Sequence, residues 1–232
     1  MRVNAIIVAA GEGKRIGGQT SKPFLSIGGR PMILHTLSRF AKSQKVRRVI
    51  LVVSEKEVSK CRELIRSDSQ IRCLECVLQT GGDRRQDSVS QGLRHLDRDC
   101  EIVVIHDGAR PFVPPSLIDS CVEMALRKGA VVPGIPVRST IKVVSPERQV
   151  RETPPRDILR EIQTPQVFRT EIIREAYRRA IERGIEATDD ATLVELLGEK
   201  VTVLEGHSAN IKITLPEDLL LAEALLREGR VC

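Results

Sequence analysis

The chain has 232 residues, 41% hydrophobic and 29% charged, and a net charge of +6 from 37 basic and 31 acidic side chains. That length buries a full core without staples, and that balance excludes wholesale disorder, a collagen-like repeat and a disulfide scaffold. No apolar run approaches the roughly 18–20 residues of a membrane span, and the N-terminus lacks a signal-peptide layout, so a cytoplasmic location is expected.

The apolar run Val3–Ala9 predicts a strand buried on both faces of a parallel sheet. Pro31 opens a helix through Phe40, and Arg48–Val53 is the next strand. Glu55–Ile65 reads as a helix with Ser54 as its cap, Ile71–Leu78 as a strand, and Asp87–Leu96 as a helix. Ile102–His106 is a further strand, followed by a helix over Pro115–Arg127. The rhythm then breaks. Pro133–Phe168 is rich in Pro, Arg, Thr and Val, and Ser145-Pro146 predicts a turn between Thr140–Val144 and Gln149–Glu152. This is read as a projecting hairpin, with an irregular surface connection as the alternative. Helices follow at Thr170–Arg183 and Asp189–Leu197, strands at Val201–Leu204 and Asn210–Ile213, and a closing helix at Pro216–Arg227. The alternation predicts a single α/β domain over 1–232 with a mostly parallel sheet and flanking helices. Such sheets take ligands beyond the carboxyl ends of their strands.

Three segments leave a strand at that end. Ala9-Ala10-Gly11-Glu12-Gly13-Lys14-Arg15, closing with Ser21-Lys22-Pro23, combines a glycine turn with fixed positive charge, which suits a polyphosphate, with a plain strand-end turn as the alternative. It is neither a Walker loop, for Lys14 is followed by Arg15 and not by a hydroxyl, nor a dinucleotide fingerprint, for Ile16 stands where the third glycine belongs. Gly81-Gly82-Asp83-Arg84-Arg85-Gln86-Asp87-Ser88 offers close backbone approach, an acceptor and a hydroxyl; equally, it reads as a turn with Asp87 or Ser88 capping a helix. His106-Asp107-Gly108-Ala109-Arg110 places a carboxylate where Mg²⁺ could be held, or simply makes an Asp-Gly turn. His106 has no second His or Cys nearby and is read as structural or as a support for a neighbouring site residue. Lys212, flanked by Ile211 and Ile213, faces either solvent or a cleft, and Thr188 is a possible helix cap.

The six cysteines contain one C-x-x-C pair, Cys73 and Cys76, without the second pair that structural zinc needs, so free and mostly buried thiols are expected. With no Trp, one Tyr and four Phe, the chain is poor in base-stacking side chains. A non-catalytic nucleic-acid-binding domain therefore rests only on net charge and on the basic pairs Arg47–Arg48 and Arg84–Arg85.

Taken in order, AAGEGKR, GGDRRQDSV, HDGARPFV, PVRSTIK, TPQVF, ATDDATLVE and NIKITLPEDLLLAE resemble the bacterial and plastid 2-C-methyl-D-erythritol 4-phosphate cytidylyltransferases over nearly the whole chain. The resemblance implies a Rossmann-like nucleotidyltransferase sheet, transfer of CMP from CTP to methylerythritol phosphate, a Mg²⁺ requirement, and a homodimer whose arm, at about 133–168, reaches over the partner. It places Arg15 and Lys22 as the catalytic cations. Ala9, Ala10, Gly11 and Gly13 fall on the phosphate cradle, and Gly81, Gly82, Asp83 and Ser88 on the cytosine pocket. Asp107 falls on the metal carboxylate. Arg110, Thr140, Arg156, Thr188 and Lys212 fall on the acceptor site, with Thr140 and Arg156 expected from the partner's arm. No membrane or nucleic-acid partner is implied. The chain departs from the family in two places: Ser21-Lys22-Pro23 stands for Pro-Lys-Gln, and Ser139-Thr140 for Asp-Thr. The nearest rival is a cytidylyltransferase acting on ribitol or ribulose 5-phosphate, which shares the glycine loop, the Asp and the Thr-Pro-Gln segment.

Overall fold

A computed structural model of the protein describes residues 2–11 and 21–231. In chain order the elements are β1 (Arg2–Val8), β2 (Ser26–Ile27), β3 (Arg30–Pro31), α1 (Met32–Ala41), β4 (Arg48–Val53), α2 (Val58–Ser67), β5 (Glu75–Thr80), α3 (Arg85–Arg94), β6 (Cys100–Asp107), α4 (Pro115–Lys128), β7 (Ala130–Pro136), β8 (Val143–Val144), β9 (Val150–Glu152), β10 (Arg160–Ile162), β11 (Gln166–Arg169), α5 (Thr170–Arg183), α6 (Asp190–Glu195), β12 (Thr202–Glu205) and α7 (Pro216–Arg227). Eight strands make one sheet in the order β10–β7–β11–β6–β1–β4–β5, with β12 added alongside β7. β6, β1, β4 and β5 run parallel. β11 enters antiparallel between β6 and β7, and β12 pairs parallel with β7.

The central strands read as near-continuous apolar runs because both faces of the sheet are covered. Val3, Ala5 and Ile7 of β1 join Val49, Leu51 and Val53 of β4 in a core beneath α1, α2 and α4. The intervening Ile6, with Ile50, Val52, Val103 and Ile105, packs on the other face against α3, α5 and α6. Each such side chain contributes about 1.5–3 kcal/mol by leaving water, so the central strands anchor the rest. A third cluster seats Ala222 of α7 on Ile27, Met32, Phe112 and Ile213.

From β1 the chain winds outward through β4 to β5, then returns to the opposite side of β1 with β6. The strand order therefore reverses between β1 and β6, the point at which open α/β sheets bind ligands. Val8 pairs with Asp107 there.

Several boundaries differ from the sequence reading, for local reasons. Asp68 accepts a hydrogen bond from Gln70 N at 2.8 Å and starts a 3₁₀ turn over Ser69–Ile71, so the strand predicted at Ile71–Leu78 begins only at Glu75. Cys73 thus precedes the strand that carries Cys76. Ser54 caps nothing with its side chain; a 3₁₀ turn at Glu55–Glu57 leads into α2. α3 starts two residues earlier than predicted, because Asp87 reaches back to Arg84 N at 3.2 Å. Asn210–Ile213 is not a strand. Asn210 O accepts from the Arg110 guanidinium at 2.7 Å, and Ile213 N donates to Ala109 O at 2.9 Å, which leaves no ladder. The hairpin is present as β8 and β9, closed by Ser145 N to Gln149 O at 2.9 Å.

Candidate active site

Three loops meet beyond the carboxyl ends of β1, β5 and β6, held by backbone bonds that continue the sheet. Ala9 N donates to Val52 O at 2.7 Å, Gly81 N to Val53 O at 2.9 Å, and Gly108 N to Val8 O at 2.9 Å. The cleft between them is lined by Ala9, Ala10, Gly11, Lys22, Gly82, Asp83, Ser88, Asp107 and Lys212, together with Arg84 and Arg85. Nine of the residues singled out from sequence are thus brought to one cavity. Gly13 and Arg15 lie outside the described residues.

Gly81 must be glycine for packing reasons: a Cβ there would sit 2.6 Å from both the Ala10 Cβ and the Ser88 Oγ. Such contacts are far inside van der Waals distance, so the glycine lets the β1 and β5 loops close on each other. Ser88, buried on α3, accepts a hydrogen bond from Gly82 N at 3.2 Å and fixes the glycine turn from below. Lys22 opens a 3₁₀ turn over Lys22–Phe24 in which Pro23 occupies an early position without breaking it.

Asp107 is almost fully buried, and each of its oxygens meets a cation. Oδ1 accepts from Arg85 Nε at 2.9 Å, and Oδ2 pairs with Lys212 Nζ at 2.6 Å. Burial alone would raise its pKa, but Arg85 and Lys212 together hold the carboxyl well below the usual carboxylate range. Its backbone N donates to Thr164 Oγ1 at 3.1 Å. Thr164 also bonds His106: Nε2 of the buried ring donates to Arg110 O at 3.1 Å, which leaves Nδ1 to accept from the Thr164 hydroxyl at 2.9 Å. Burial pushes the His106 pKa down to about 4. The ring is a neutral strut, as its isolation in sequence implied.

Arg85 was not distinguished in sequence from its neighbour Arg84, yet the two do different work. Arg84 faces outward to Asp87 and Glu186. Arg85 turns inward, with its second branch donating from Nη2 to Asp190 Oδ2 at 2.8 Å. Asp190 is completely buried and accepts from the Tyr177 hydroxyl at 2.5 Å. The Thr-Pro-Gln segment builds the start of α6: Gln166 Oε1 accepts from Asp190 N and Ala191 N, both at 3.0 Å. Asp189, not Thr188, caps that helix by accepting from Thr192 N at 2.9 Å. Arg48, like Arg84 and Arg85, is ion-paired, with Asp97 and Glu75. Three of the four arginines in the basic pairs are thus ion-paired, and Arg47 is exposed.

The remaining acceptor-site candidates do not line this cleft. Arg110 is buried behind it and holds Asn210 O, two residues before Lys212. Thr188 is exposed, two residues before Asp190. Thr140 and Arg156 are exposed on the hairpin segment, where Arg156 Nη1 donates to Arg138 O at 3.0 Å. Among the described residues no cluster of three His, Cys, Asp or Glu side chains could cage a metal. A single buried carboxylate in a cleft does fit Mg²⁺, which is commonly held by one or two carboxylates, water and substrate phosphates. Among the described residues no helix is long and apolar enough to cross a membrane.

The chain is similar to known proteins over nearly its whole length. The family model described as 2-C-methyl-D-erythritol 4-phosphate cytidylyltransferase (IspD) matches residues 3–228. A protein of that name from Dehalococcoides mccartyi strain 195 is 48% identical over 229 residues, covering 99% of this chain and 98% of its own. The crystal structure of 4-diphosphocytidyl-2C-methyl-D-erythritol synthase from Anaerococcus prevotii superposes with a TM-score of 0.88 at 31% identity, covering 97% of this chain and 96% of that one. That of the Thermus thermophilus cytidylyltransferase gives 0.78 at 37% identity, covering 98% and 100%.

Proposed function

The chain belongs to the 2-C-methyl-D-erythritol 4-phosphate cytidylyltransferase family, and from that premise we infer that it transfers CMP from CTP to 2-C-methyl-D-erythritol 4-phosphate, releasing pyrophosphate. The observation that carries the reading is the convergence of Gly11, Gly82, Lys22, Asp107 and Lys212 on one cleft where the strand order reverses.

An oxygen of the acceptor's phosphate attacks the α-phosphorus of CTP. The new O–P bond forms in line as the bond to the β-phosphate breaks, and pyrophosphate leaves with the electron pair. A phosphate monoester has its second pKa near about 6, so at neutral pH the nucleophile is already largely ionised and needs no general base. The protein's work is to position the reactants and to stabilise charge.

In this reading Arg15 and Lys22 stabilise the charge that builds on the triphosphate, and the main chain at Ala9, Ala10, Gly11 and Gly13 cradles it. Gly81, Gly82, Asp83 and Ser88 receive the cytosine. Asp107 would hold Mg²⁺, which neutralises phosphate charge when bound. Lys212 and Thr188 serve the acceptor from this chain, and Arg110 supports Lys212 through Asn210. Thr140 and Arg156 serve the acceptor of the partner in a homodimer. The exposed apolar side chains of the arm, Ile141, Val143, Val144, Val150 and Ile158, support that assembly, since an isolated two-stranded hairpin is marginal in water. We place the enzyme in the cytoplasm.

The test is turnover of CTP with methylerythritol phosphate and Mg²⁺, followed by ³¹P NMR, with ribitol 5-phosphate and ribulose 5-phosphate as competing acceptors. A diphosphodiester product with the methylerythritol acceptor and stoichiometric pyrophosphate is expected. Preference for a pentose-derived acceptor would overturn the acceptor assignment, and no turnover would overturn the reaction.

A further inference from the structure

We propose that Arg85 is a positioning residue for the reaction: it aims the Asp107 carboxylate into the cleft by bracing it against the buried Asp190–Tyr177 pair. The inference rests on the reading of Asp107 as the metal carboxylate.

The geometry is a fork between two carboxylates. Nε binds Asp107 Oδ1 at 2.9 Å while Nη2 binds Asp190 Oδ2 at 2.8 Å. The far carboxylate is immobile. Asp190 has no exposed surface; its other oxygen is held by Tyr177 at 2.5 Å, and its backbone N is held by Gln166 at 3.0 Å. The brace therefore runs from the interior of α5 and α6 to the cleft floor. With Oδ1 engaged, the oxygen left for the cleft is Oδ2, which in this structure meets Lys212 at 2.6 Å.

Arg85 is also the first residue of α3, three residues before Ser88. The helix start that fixes the glycine turn thus also fixes the carboxylate. A lysine would keep the charge but not the fork, because one ammonium cannot reproduce two donors in a fixed plane. Burial opposes the Arg85 charge, but Asp190 and Asp107 together keep its pKa raised, so the guanidinium is always available as donor.

Loss of a residue that orients a metal ligand typically costs about 10–100-fold in metal affinity or activity. The experiment measures Mn²⁺ binding by electron paramagnetic resonance with CTP present and acceptor absent, for wild type, Asp107→Asn, Arg85→Gln and Arg85→Lys. Circular dichroism and melting curves confirm folding. Asp107→Asn is expected to lose the protein-dependent Mn²⁺ signal. Arg85→Gln is expected to weaken it about 10–100-fold and to raise the Mg²⁺ concentration for half-maximal turnover, and Arg85→Lys to recover only part. A purely structural arginine would change the melting temperature without changing the Mn²⁺ affinity of the folded protein. If Arg85→Gln does not fold, Arg85→Lys decides, since it keeps the positive charge. Wild-type Mn²⁺ affinity in a folded Arg85 variant, with binding lost in Asp107→Asn, overturns the role of Arg85 alone. Wild-type affinity in Asp107→Asn overturns the metal reading and the brace together.

Discussion

Asp107, Arg85 and Lys212 form a linked set, so removing one charge has consequences that depend on how the others are solvated. In Asp107→Asn, Arg85 keeps Asp190 as partner, and Lys212, 41% exposed, turns to water. The variant should therefore stay folded and lose no more than the roughly 1–3 kcal/mol typical of a buried polar group left short of a partner. Its Mg²⁺-dependent turnover should collapse, because an amide does not hold a hard divalent ion. Retained Mg²⁺ dependence, with folding verified by circular dichroism, would remove Asp107 from the metal site. Lys22→Ala tests the other side of the cleft. Additional charge builds on the α-phosphoryl group and the leaving pyrophosphate in the transition state, so turnover should fall by about 10²-fold or more while CTP binding weakens far less. Near-normal turnover would clear Lys22 of that role. The thiols make a third residue-scale test. Burial pushes Cys61, Cys76 and Cys121 up to about 12, and Cys100 is raised by the same cause, whereas Cys73 is exposed. Brief alkylation of native protein at pH 8, read by peptide mapping, should label Cys73 well ahead of these four. Fast labelling at Cys61 or Cys121 would mean that the core opens under native conditions.

α3 connects the site to the sheet, and its seat on β1 is unusually close. A Cβ at Gly92 would lie 2.6 Å from the Ile6 Cγ2, a side chain with no exposed surface. Gly92→Ala gains about 1 kcal/mol of helix propensity. Overpacking a well-filled core costs about 1–3 kcal/mol, and here the clash falls on an immobile strand, so the net effect should be destabilising. A lowered melting temperature is the expected result; a raised one would show that α3 shifts freely. The same helix shows what was legible beforehand. Its existence, and that of β1, β4 and β6, followed from apolar runs and periodicity, because burial on both faces writes itself into the sequence at every position. The cleft was legible for a related reason: its glycines and charges cluster at strand ends. Arg85 was not, since adjacent arginines at a helix start look alike until the backbone turns one inward and one outward. Asp190 was hidden too, because its partners come from α3, α5 and β11, elements remote in sequence. Asn210–Ile213 looks like a strand from its apolar alternation, but the Arg110 guanidinium on Asn210 O and the bond from Ile213 N to Ala109 O leave it without a ladder.

At the scale of the molecule, the described cleft contains Lys22, Asp107 and Lys212, whereas Thr140 and Arg156 sit apart on the arm. The arm leaves Val144 and Val150 more than half exposed, and Ile158 is 70% exposed. Apolar side chains at that exposure on the arm argue for a covering surface, and a two-fold partner supplies one by symmetry. In the proposed homodimer each site joins Lys22 of one chain to Arg156 of the other, whose planar fork suits a phosphate. That arrangement predicts complementation. Arg156→Ala and Lys22→Ala homodimers should each be nearly inactive. Mixed in equal amounts with free exchange of subunits, half of the dimers carry one chain of each kind. In such a dimer one site has both residues and the other has neither. The mixture should therefore recover up to about a quarter of wild-type activity. Exchange is measured independently, by mass spectrometry of differently tagged chains. Exchange without recovery would place Arg156 in the service of its own chain, and the arm would then be an assembly device that contributes no group to the partner's site.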